Sequence, residues 1–331
     1  MKILHIENTA GVPYQISQAL CELGHESRVM ETWHSYTGHG CDIENYYGSP
    51  GKITEYPNTI KSMRKTISIA KDYDIIHAHS GINWKRFEYP ILGYYHNIPM
   101  VIHYHGSDSR IGYGMAYQGL AKAKMVCTPD LLQWHPEATL LLNPIAEKPY
   151  IFPEEKIRVV HMPTDRKKKG TELVLRAIDA LKEEEELSFE FRLVEGKTHK
   201  EAMKELEEAH ILIDQVVTKE ATEIAGLIGI CSLEAMSMGK VAVSYIDQKM
   251  LPYYNGIPVV NVEPNLRVLT DNLRTLIRHP ELCREIGIRS QKFVRKEHST
   301  LSAAKKCEEI YTGILENLNN GPYRIGAPDG R

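Results

Sequence analysis

Two pairs of histidines could take part in chemistry. His77-x-His79 and His103-x-His105 each end an apolar run, and the second pair continues into Gly-Ser-Asp108. Residues i and i+2 of a strand point to the same side, so each pair could chelate a metal ion. The spacing fixes no third ligand, and we expect no metal site. We expect these histidines at strand ends that open on a cleft, with His105 as the functional one because Gly106 ends its strand beside polar groups.

Four consecutive cations, Arg166 to Lys169, follow a second apolar run and precede Gly170-Thr171 at a predicted helix start. We expect them on a polar loop. Cations are unfavourable beside a helix N-terminus, because the helix dipole already makes that end positive. An anionic ligand would resolve the conflict, since guanidinium and ammonium groups both bind phosphate oxygens. A solvated basic loop is the alternative interpretation.

Glu234 is the one acid in the apolar segment from Gly226 to Lys240. A buried carboxylate needs hydrogen-bond donors, and sugar or ribose hydroxyls would serve. An exposed glutamate on the polar side of a helix is the alternative.

The loop Asn8–Val12 is a weaker candidate for a binding site. Its Gly11 would let backbone amides approach an anion, but a simple strand-to-helix turn explains the loop equally well.

Apolar spacing predicts the elements that position these residues. Strand-like runs alternate with helical stripes, as in parallel sheets covered by helices. The predicted strands cover 3–6, 26–30, 74–79, 100–105, 123–128, 157–162, 189–194, 211–213 and 241–245, and the predicted helices cover 12–23, 60–70, 173–181, 232–238 and much of the chain from 266. Three prolines between Asn143 and Pro153 predict an extended linker.

We therefore predict an α/β protein with two Rossmann-like, doubly wound domains facing across a cleft. The predicted units are an N-terminal domain (1–145), a linker (146–156), a C-terminal domain (157–298), a terminal helix (299–318) and a flexible tail (319–331).

Composition narrows the function classes. The 331 residues carry 40 basic and 43 acidic side chains, a net charge of −3, which gives no overall basic excess for nucleic acid. No apolar run is long enough for a membrane-spanning helix, and the N-terminus does not resemble a secretory signal. The six cysteines form no C-x-x-C pair, so we expect reduced thiols and a cytoplasmic protein.

The chain resembles the family-4 glycosyltransferases, which are retaining enzymes of the glycosyltransferase-B fold. The resemblance extends from about residue 1 to residue 315. Six segments carry it in order: Asn8–Val12, Gly24-His25-Glu26, Asp74–His79, His105–Asp108, Pro163–Gly170 and Leu233–Val243.

The resemblance implies a role for each matching residue. Arg166 and Lys169 would hold the donor diphosphate and act in catalysis together with His105, which would reach the transferred sugar or the reacting centre. Glu234 would bind the ribose hydroxyls. The remaining donor-binding positions would be Gly11, Val12, Asp108, Thr164 and Gly229. The terminal helix would pack back on the first domain.

The implied reaction moves a hexosyl group from a nucleotide-diphosphate sugar to a glycan or lipid-linked acceptor in glycan or polysaccharide biosynthesis. The implied chemistry needs neither a cofactor nor a metal, and nucleic acid is not an expected partner. Acceptor contacts are expected on loops of the first domain such as Trp33–Tyr47, which is rich in tyrosine, histidine and glycine, although a disordered surface loop explains this composition equally well. Peripheral contact with the inner face of a membrane and the oligomeric state stay open.

Two positions depart from the family pattern. Members typically carry two glutamates in this region, and the position of the first is Gly226 here. The arginine lies three residues before Lys169 instead of six, where this chain has Pro163. Three alternatives remain: a nucleotide-sugar epimerase on the same fold, a nucleotide-sugar-binding protein without catalysis, which Gly226 motivates, and a metal hydrolase that uses the histidine pairs.

Overall fold

The computed structural model describes residues 1–32, 40–46, 56–80, 86–110, 112, 116–154, 156–218, 222 and 225–320. Within these residues the chain forms two parallel sheets, each covered by helices, as the alternation of apolar patterns predicts. None of the helices in this part of the chain is long and apolar enough to cross a membrane.

The first sheet has seven parallel strands in the spatial order β3-β2-β1-β4-β5-β6-β7. The strands are β1 (Lys2–Ile6), β2 (Glu26–Glu31), β3 (Ile43–Glu44), β4 (Ile75–His79), β5 (Met100–Tyr104), β6 (Ala121–Val126) and β7 (Thr139–Leu140). The helices of this half are α1 (Val12–Glu22), α2 (Tyr56–Ala70), α3 (Glu88–Pro90) and α4 (Ser107–Arg110). Every residue of β4 and β5 is buried, as expected for central strands covered on both faces.

The second sheet has five parallel strands in the order β12-β11-β10-β8-β9. The strands are β8 (Arg158–His161), β9 (Glu190–Leu193), β10 (Ile211–Ile213), β11 (Val241–Ser244) and β12 (Val260–Asn261). The helices are α5 (Arg166–Lys169), α6 (Thr171–Lys182), α7 (His199–Glu207), α8 (Ile230–Ser237), α9 (Leu266–Arg278), α10 (Pro280–Glu297) and α11 (Thr300–Asn320).

Helices α1 and α11 lie together over one face of the first sheet. The buried stripe of α11 contains Ala304, Cys307, Tyr311 and Ile314, which recur at helical spacing and join one apolar cluster with Ile16 of α1. Helices α2 and α3 contribute to a separate cluster with alternate residues of the strands. The last helix therefore packs against the first sheet.

The four cations from Arg166 to Lys169 do not form the predicted loop. They form the one-turn helix α5, because the Asp165 side chain caps it by accepting a hydrogen bond of 3.0 Å from the Lys168 amide. Gly170 then adopts a φ of 72° and starts α6. A Cβ atom at Gly170 would lie 2.2 Å from the carbonyl oxygen of Val216, so only glycine fits this junction.

Candidate active site

Lys169 and Asp214 form a largely buried ion pair at the carboxyl edge of the second sheet. Lys169 ends α5 and its Nζ donates to Oδ1 of Asp214, which directly follows β10. Ser232 of α8 donates to the other carboxylate oxygen at 2.7 Å. Burial alone would lower the pKa of Lys169, but the facing carboxylate outweighs it and the pKa is raised. Lys169 therefore stays a cation.

Gly229 brings the N-terminus of α8 against this ion pair. It is the residue before the first turn of α8, and it has no side chain that could cap the helix amides. A Cβ atom here would lie 2.5 Å from Oδ2 of Asp214 and 3.5 Å from Nζ of Lys169. The amides of a first helical turn carry partial positive charge, and here they lie beside Lys169 and its counterion Asp214.

Glu234 lies within the same helix and already has a donor. Its Oε1 pairs with Nε2 of His199 at 2.7 Å, and its side chain is 16% exposed. The bond to this carboxylate raises the pKa of His199. Glu234 is thus neither a fully exposed surface residue nor an unpaired buried one.

Arg166 lies at the start of α5 with half of its side chain exposed. Its Nε and Nη2 donate to both oxygens of Glu195, at 2.8 and 2.7 Å. This forked pair occupies the guanidinium edge that the resemblance assigns to a diphosphate, so Arg166 would have to exchange partners to serve there. Thr164 is exposed on the loop that leads into α5.

The histidines of the two pairs lie on one face of the first sheet, beneath α11. The expectation that both pairs open on a cleft is wrong for His77, His79 and His103, all of which are buried. The cause is the packing of α11: Tyr311 lies over the sheet, with its hydroxyl 2.5 Å from Nδ1 of His77. Only His105, beyond the end of β5, is partly exposed.

A third strand adds a histidine that the pairwise spacing does not reveal. His5 of β1 pairs in register with His77, and its Nδ1 lies 3.0 Å from Nε2 of His79. Nδ1 of His79 lies 2.9 Å from Nε2 of His105. Three imidazoles thus form a chain of hydrogen bonds across the carboxyl edge of the sheet.

Burial keeps these imidazoles neutral. It lowers the pKa of His105 to about 3 and that of His5 to about 3 as well. The pKa values of His77, His79 and His103 are lowered by the same cause, with smaller contributions from neighbouring imidazoles. Each ring therefore carries one N–H donor and one acceptor nitrogen at neutral pH.

Asp108 shapes the turn that carries His105. Its carboxylate accepts hydrogen bonds from the amides of His105, Gly106 and Ser109, at 3.0, 2.7 and 3.0 Å. Burial raises the pKa of Asp108, while these three amides oppose the rise. With these bonds made, Asp108 holds the backbone next to His105.

The loop after β1 offers only its backbone to a ligand. Gly11 has a φ of 74° and precedes α1, as a turn into a helix requires. Val12 is 1% exposed and its side chain belongs to the cluster under α11. The donor-binding role predicted for Val12 is therefore restricted to its main chain.

The N-terminus of α8 meets the first sheet's half of the molecule. Ile230, the first residue of α8, packs against the apolar cluster that contains Ile16 and Tyr311. The linker is tied to the same half by the Ala146 amide, which donates to the Gln15 side chain at 2.6 Å. The ion pair beside α8 and the histidines are thus on two halves that touch.

Gly226 has a structural reason to be glycine. Its φ is 79°, and a Cβ atom would lie 2.7 Å from Cβ and 3.0 Å from the amide nitrogen of Asp247. A glutamate at this position would need a different local backbone.

The loop predicted to contact an acceptor, Trp33–Tyr47, lies largely outside the described residues, at 33–39 and 47.

Sequence reasoning missed Asp214, His199 and His5. Asp214 had a signal, because an acid directly after a short apolar strand lies at the carboxyl edge of a parallel sheet. His199 and His5 had none, since their partners are 35 and 74 residues away.

Comparison with solved structures settles the architecture. Anabaena HepE, crystallised with UDP-glucose, superposes with a TM-score of 0.66 at 13% identity, over 95% of this chain and 100% of that one. An α-glucosyltransferase in complex with UDP and a 13-mer DNA superposes with a TM-score of 0.66 at 10% identity, over 94% of this chain and 99% of that one. The chain has the glycosyltransferase-B fold. The fold class predicted from the sequence, two Rossmann-like domains, is thereby confirmed.

The same fold also holds proteins of other activities. A putative UDP-N-acetylglucosamine 2-epimerase from Listeria monocytogenes matches with a TM-score of 0.61 at 14% identity, over 96% of this chain and 97% of that one. No protein-family model and no curated protein sequence matches the chain. The fold alone therefore does not give the function.

Proposed function

We propose that the protein is a retaining glycosyltransferase that moves a hexosyl group from a nucleotide-diphosphate sugar to a glycan or lipid-linked acceptor. The observation that carries this proposal is the Lys169–Asp214 pair beside the N-terminus of α8, whose N-cap residue Gly229 has no side chain to cap the helix. A cation and helix amides at one point form a site for a diphosphate.

The donor would lie along α8. Its diphosphate would accept hydrogen bonds from the first-turn amides and from Lys169, whose ammonium has protons beyond the one given to Asp214. Glu234, four residues after Ile230, would bind the ribose hydroxyls through the oxygen that His199 does not hold. UDP-glucose in the structure of HepE supports this class of ligand.

His105 would contact the sugar from the first domain. It is neutral because burial lowers its pKa to about 3, so it can donate or accept a hydrogen bond without adding charge. The carboxylate of Asp108 fixes the turn on which it lies. A neutral donor suits a hydroxyl of the transferred sugar.

In the reaction, the bond between the anomeric carbon and the diphosphate oxygen breaks on the face where the acceptor oxygen bonds. The acceptor's proton passes to the departing diphosphate, and the negative charge that develops there is stabilised by Lys169 and the α8 amides. This front-face course retains the anomeric configuration and needs no metal ion at the diphosphate.

A transfer assay after a nucleotide-sugar screen tests the proposal. A bound donor at 100 times its Kd should add about 2.7 kcal/mol of stability, which a thermal-shift screen detects. With that donor, Lys169→Ala should lower turnover on the order of 10²–10³-fold, the effect of removing one preorganised charge contact. Lys167→Ala, an exposed neighbour on α5, is the control. Unchanged turnover in folded Lys169→Ala would rule the proposal out.

An epimerase is the second candidate, supported by the match to the Listeria protein. It would isomerise the donor sugar with no acceptor present. Incubation of the protein with donor alone, followed by analysis of the sugar, separates the two functions. A protein that is stabilised by the donor yet gives neither product would be a binding protein.

A further inference from the structure

We propose that the histidine cluster of the first sheet binds one divalent transition-metal ion of the zinc class, through His79, His103 and His105. The fold brings these three side chains together from β4, β5 and the turn after β5. One ring nitrogen from each lies within 4.8 Å of the others. The inference stands on this cluster alone and does not depend on the proposed function; with the ion bound, His105 would contact a sugar only through the ring nitrogen that does not hold the ion.

The distances fit a tetrahedral ion after a small adjustment. Nδ1 of His79 and Nε2 of His105 are 2.9 Å apart, whereas two imidazole nitrogens on zinc, each at about 2.0–2.1 Å from the ion, are about 3.3 Å apart. The ring centroids of His103 and His105 are 4.3 Å apart. A bound ion would replace the His79–His105 hydrogen bond with one coordinate bond to each of these rings, and His103 would provide the third ligand.

His103 supplies the independent observation. Its side chain is completely buried, and neither ring nitrogen has a hydrogen-bond partner within the described part of the chain. A buried polar atom left without a partner costs about 1–3 kcal/mol. A metal ion beside His79 and His105 would satisfy one of these nitrogens.

His5 completes the arrangement as a positioning residue. A histidine that ligates a metal usually donates its other ring N–H to a nearby acceptor, which fixes the tautomer and the ring orientation. His79 would ligate through Nδ1, and its Nε2 lies 3.0 Å from Nδ1 of His5. His5 can therefore accept that proton and leave Nδ1 of His79 free for the ion.

The ligand set selects the class of metal. Three imidazoles and no carboxylate suit zinc, cobalt, nickel or copper, whereas magnesium, calcium and manganese prefer oxygen ligands. His105 is partly exposed, which gives the ion a route from solvent and leaves a fourth position for water. The carboxylate of Asp108, 3.0 Å from the His105 amide, would offset part of the charge.

Metal binding by the whole chain, stripped with a chelator and measured without substrate, tests the proposal. Equilibrium dialysis against Zn²⁺ followed by elemental analysis should give one ion per chain. Co²⁺ should bind in its place and show the visible absorption of tetrahedral cobalt. Substoichiometric zinc, or cobalt with an octahedral spectrum, would overturn the proposal.

Variants locate the ion. His103→Leu should abolish binding while the chelated protein keeps its thermal stability, because His103 makes no hydrogen bond to lose. His105→Gln, at the partly exposed end, should abolish binding too. His5→Phe should weaken it about 10–100-fold, as the loss of an outer hydrogen bond does. His96→Gln, outside the cluster, is the control and should bind as the unmodified chain. Equal binding in His103→Leu, or loss in His96→Gln, would show that the zinc binds elsewhere.

Discussion

Tyr311 in the last helix reaches His77 in the middle of the first sheet, with its hydroxyl 2.5 Å from Nδ1 of the imidazole. The two residues are 234 positions apart, and both are completely buried. This contact ties α11 to the sheet, and it explains why the central histidines are closed off from solvent. The end of the chain is therefore part of the core of its first half.

Removing the Tyr311 hydroxyl should destabilise the first half. In Tyr311→Phe, the Nδ1 atom of His77 loses its partner inside the core, and a buried unsatisfied polar group costs about 1–3 kcal/mol. Urea unfolding of the variant and of Tyr253→Phe, which changes a half-exposed tyrosine, measures the difference. Equal stability of the two variants would contradict the structural role assigned to the Tyr311–His77 bond.

Replacing only Asp214 of the Lys169–Asp214 pair should destabilise the protein more than replacing both residues. Asp214→Asn leaves a buried ammonium without its counterion, a change that costs about 3–5 kcal/mol, whereas replacing both partners of a buried pair is often much milder. We therefore expect the double variant Lys169→Met/Asp214→Asn to be more stable than Asp214→Asn alone.

Urea unfolding of the two single variants and the double variant gives the coupling free energy. An Asn side chain keeps one acceptor oxygen, which can face either Lys169 or Ser232, so Asp214→Asn removes the charge together with one acceptor. If the losses in unfolding free energy of the two single variants sum to the loss of the double variant, the two charges do not interact. That result would remove the structural basis for keeping Lys169 cationic.

Gly226 and Gly24 form a matched pair for testing the departure from the paired-glutamate pattern. Both have positive φ, of 79° and 90°, but a Cβ atom meets Asp247 only at Gly226 and finds nothing within 4 Å at Gly24. Gly24→Ala should cost about 1–2 kcal/mol from backbone strain. Gly226→Ala should cost more, because the clash adds to the strain.

Thermal or urea unfolding of both variants shows which of them loses more stability. If Gly226→Ala were the milder change, the glycine would not be required by the fold, and a glutamate there could be introduced. As the structure stands, Gly226→Glu should lose stability and should not restore a second donor-binding carboxylate.

The sequence predicted those parts of the structure that follow from local pattern. Apolar runs located β4, β8 and β10 to within about a residue, because a buried parallel strand is a short apolar run between polar loops. The alternation of such runs with helical stripes also predicted two Rossmann-like domains. The family resemblance assigns Gly229 to the donor site, and in the structure it lies beside the predicted Lys169.

Contacts across strands could not be predicted in this way. The chain of hydrogen bonds from His5 through His79 to His105 depends on the register of three strands, which no spacing within one strand encodes. The same holds for Asp214, whose partner Lys169 is 45 residues away. The one-turn helix at Arg166 depends on a single cap from Asp165, too weak a signal to outweigh four cations.

Lys240 predicts a pH dependence of stability. It is completely buried and donates to the carbonyl oxygens of Ile151 and Glu207 at 2.8 and 2.6 Å. Burial lowers its pKa from 10.5 to about 8. Between these two values the unfolded chain holds a proton that the folded chain has released, so stability should rise with pH.

Comparison with Lys240→Met isolates this group, since the methionine and the two carbonyl groups do not titrate. From pH 7 to pH 9.5 the unmodified chain should gain about 2 kcal/mol relative to the variant, the difference expected for those two pKa values. Urea unfolding of both proteins at the two pH values measures it. Parallel pH profiles would mean that Lys240 has an ordinary pKa, and that its ammonium is not desolvated by the two main-chain segments around it.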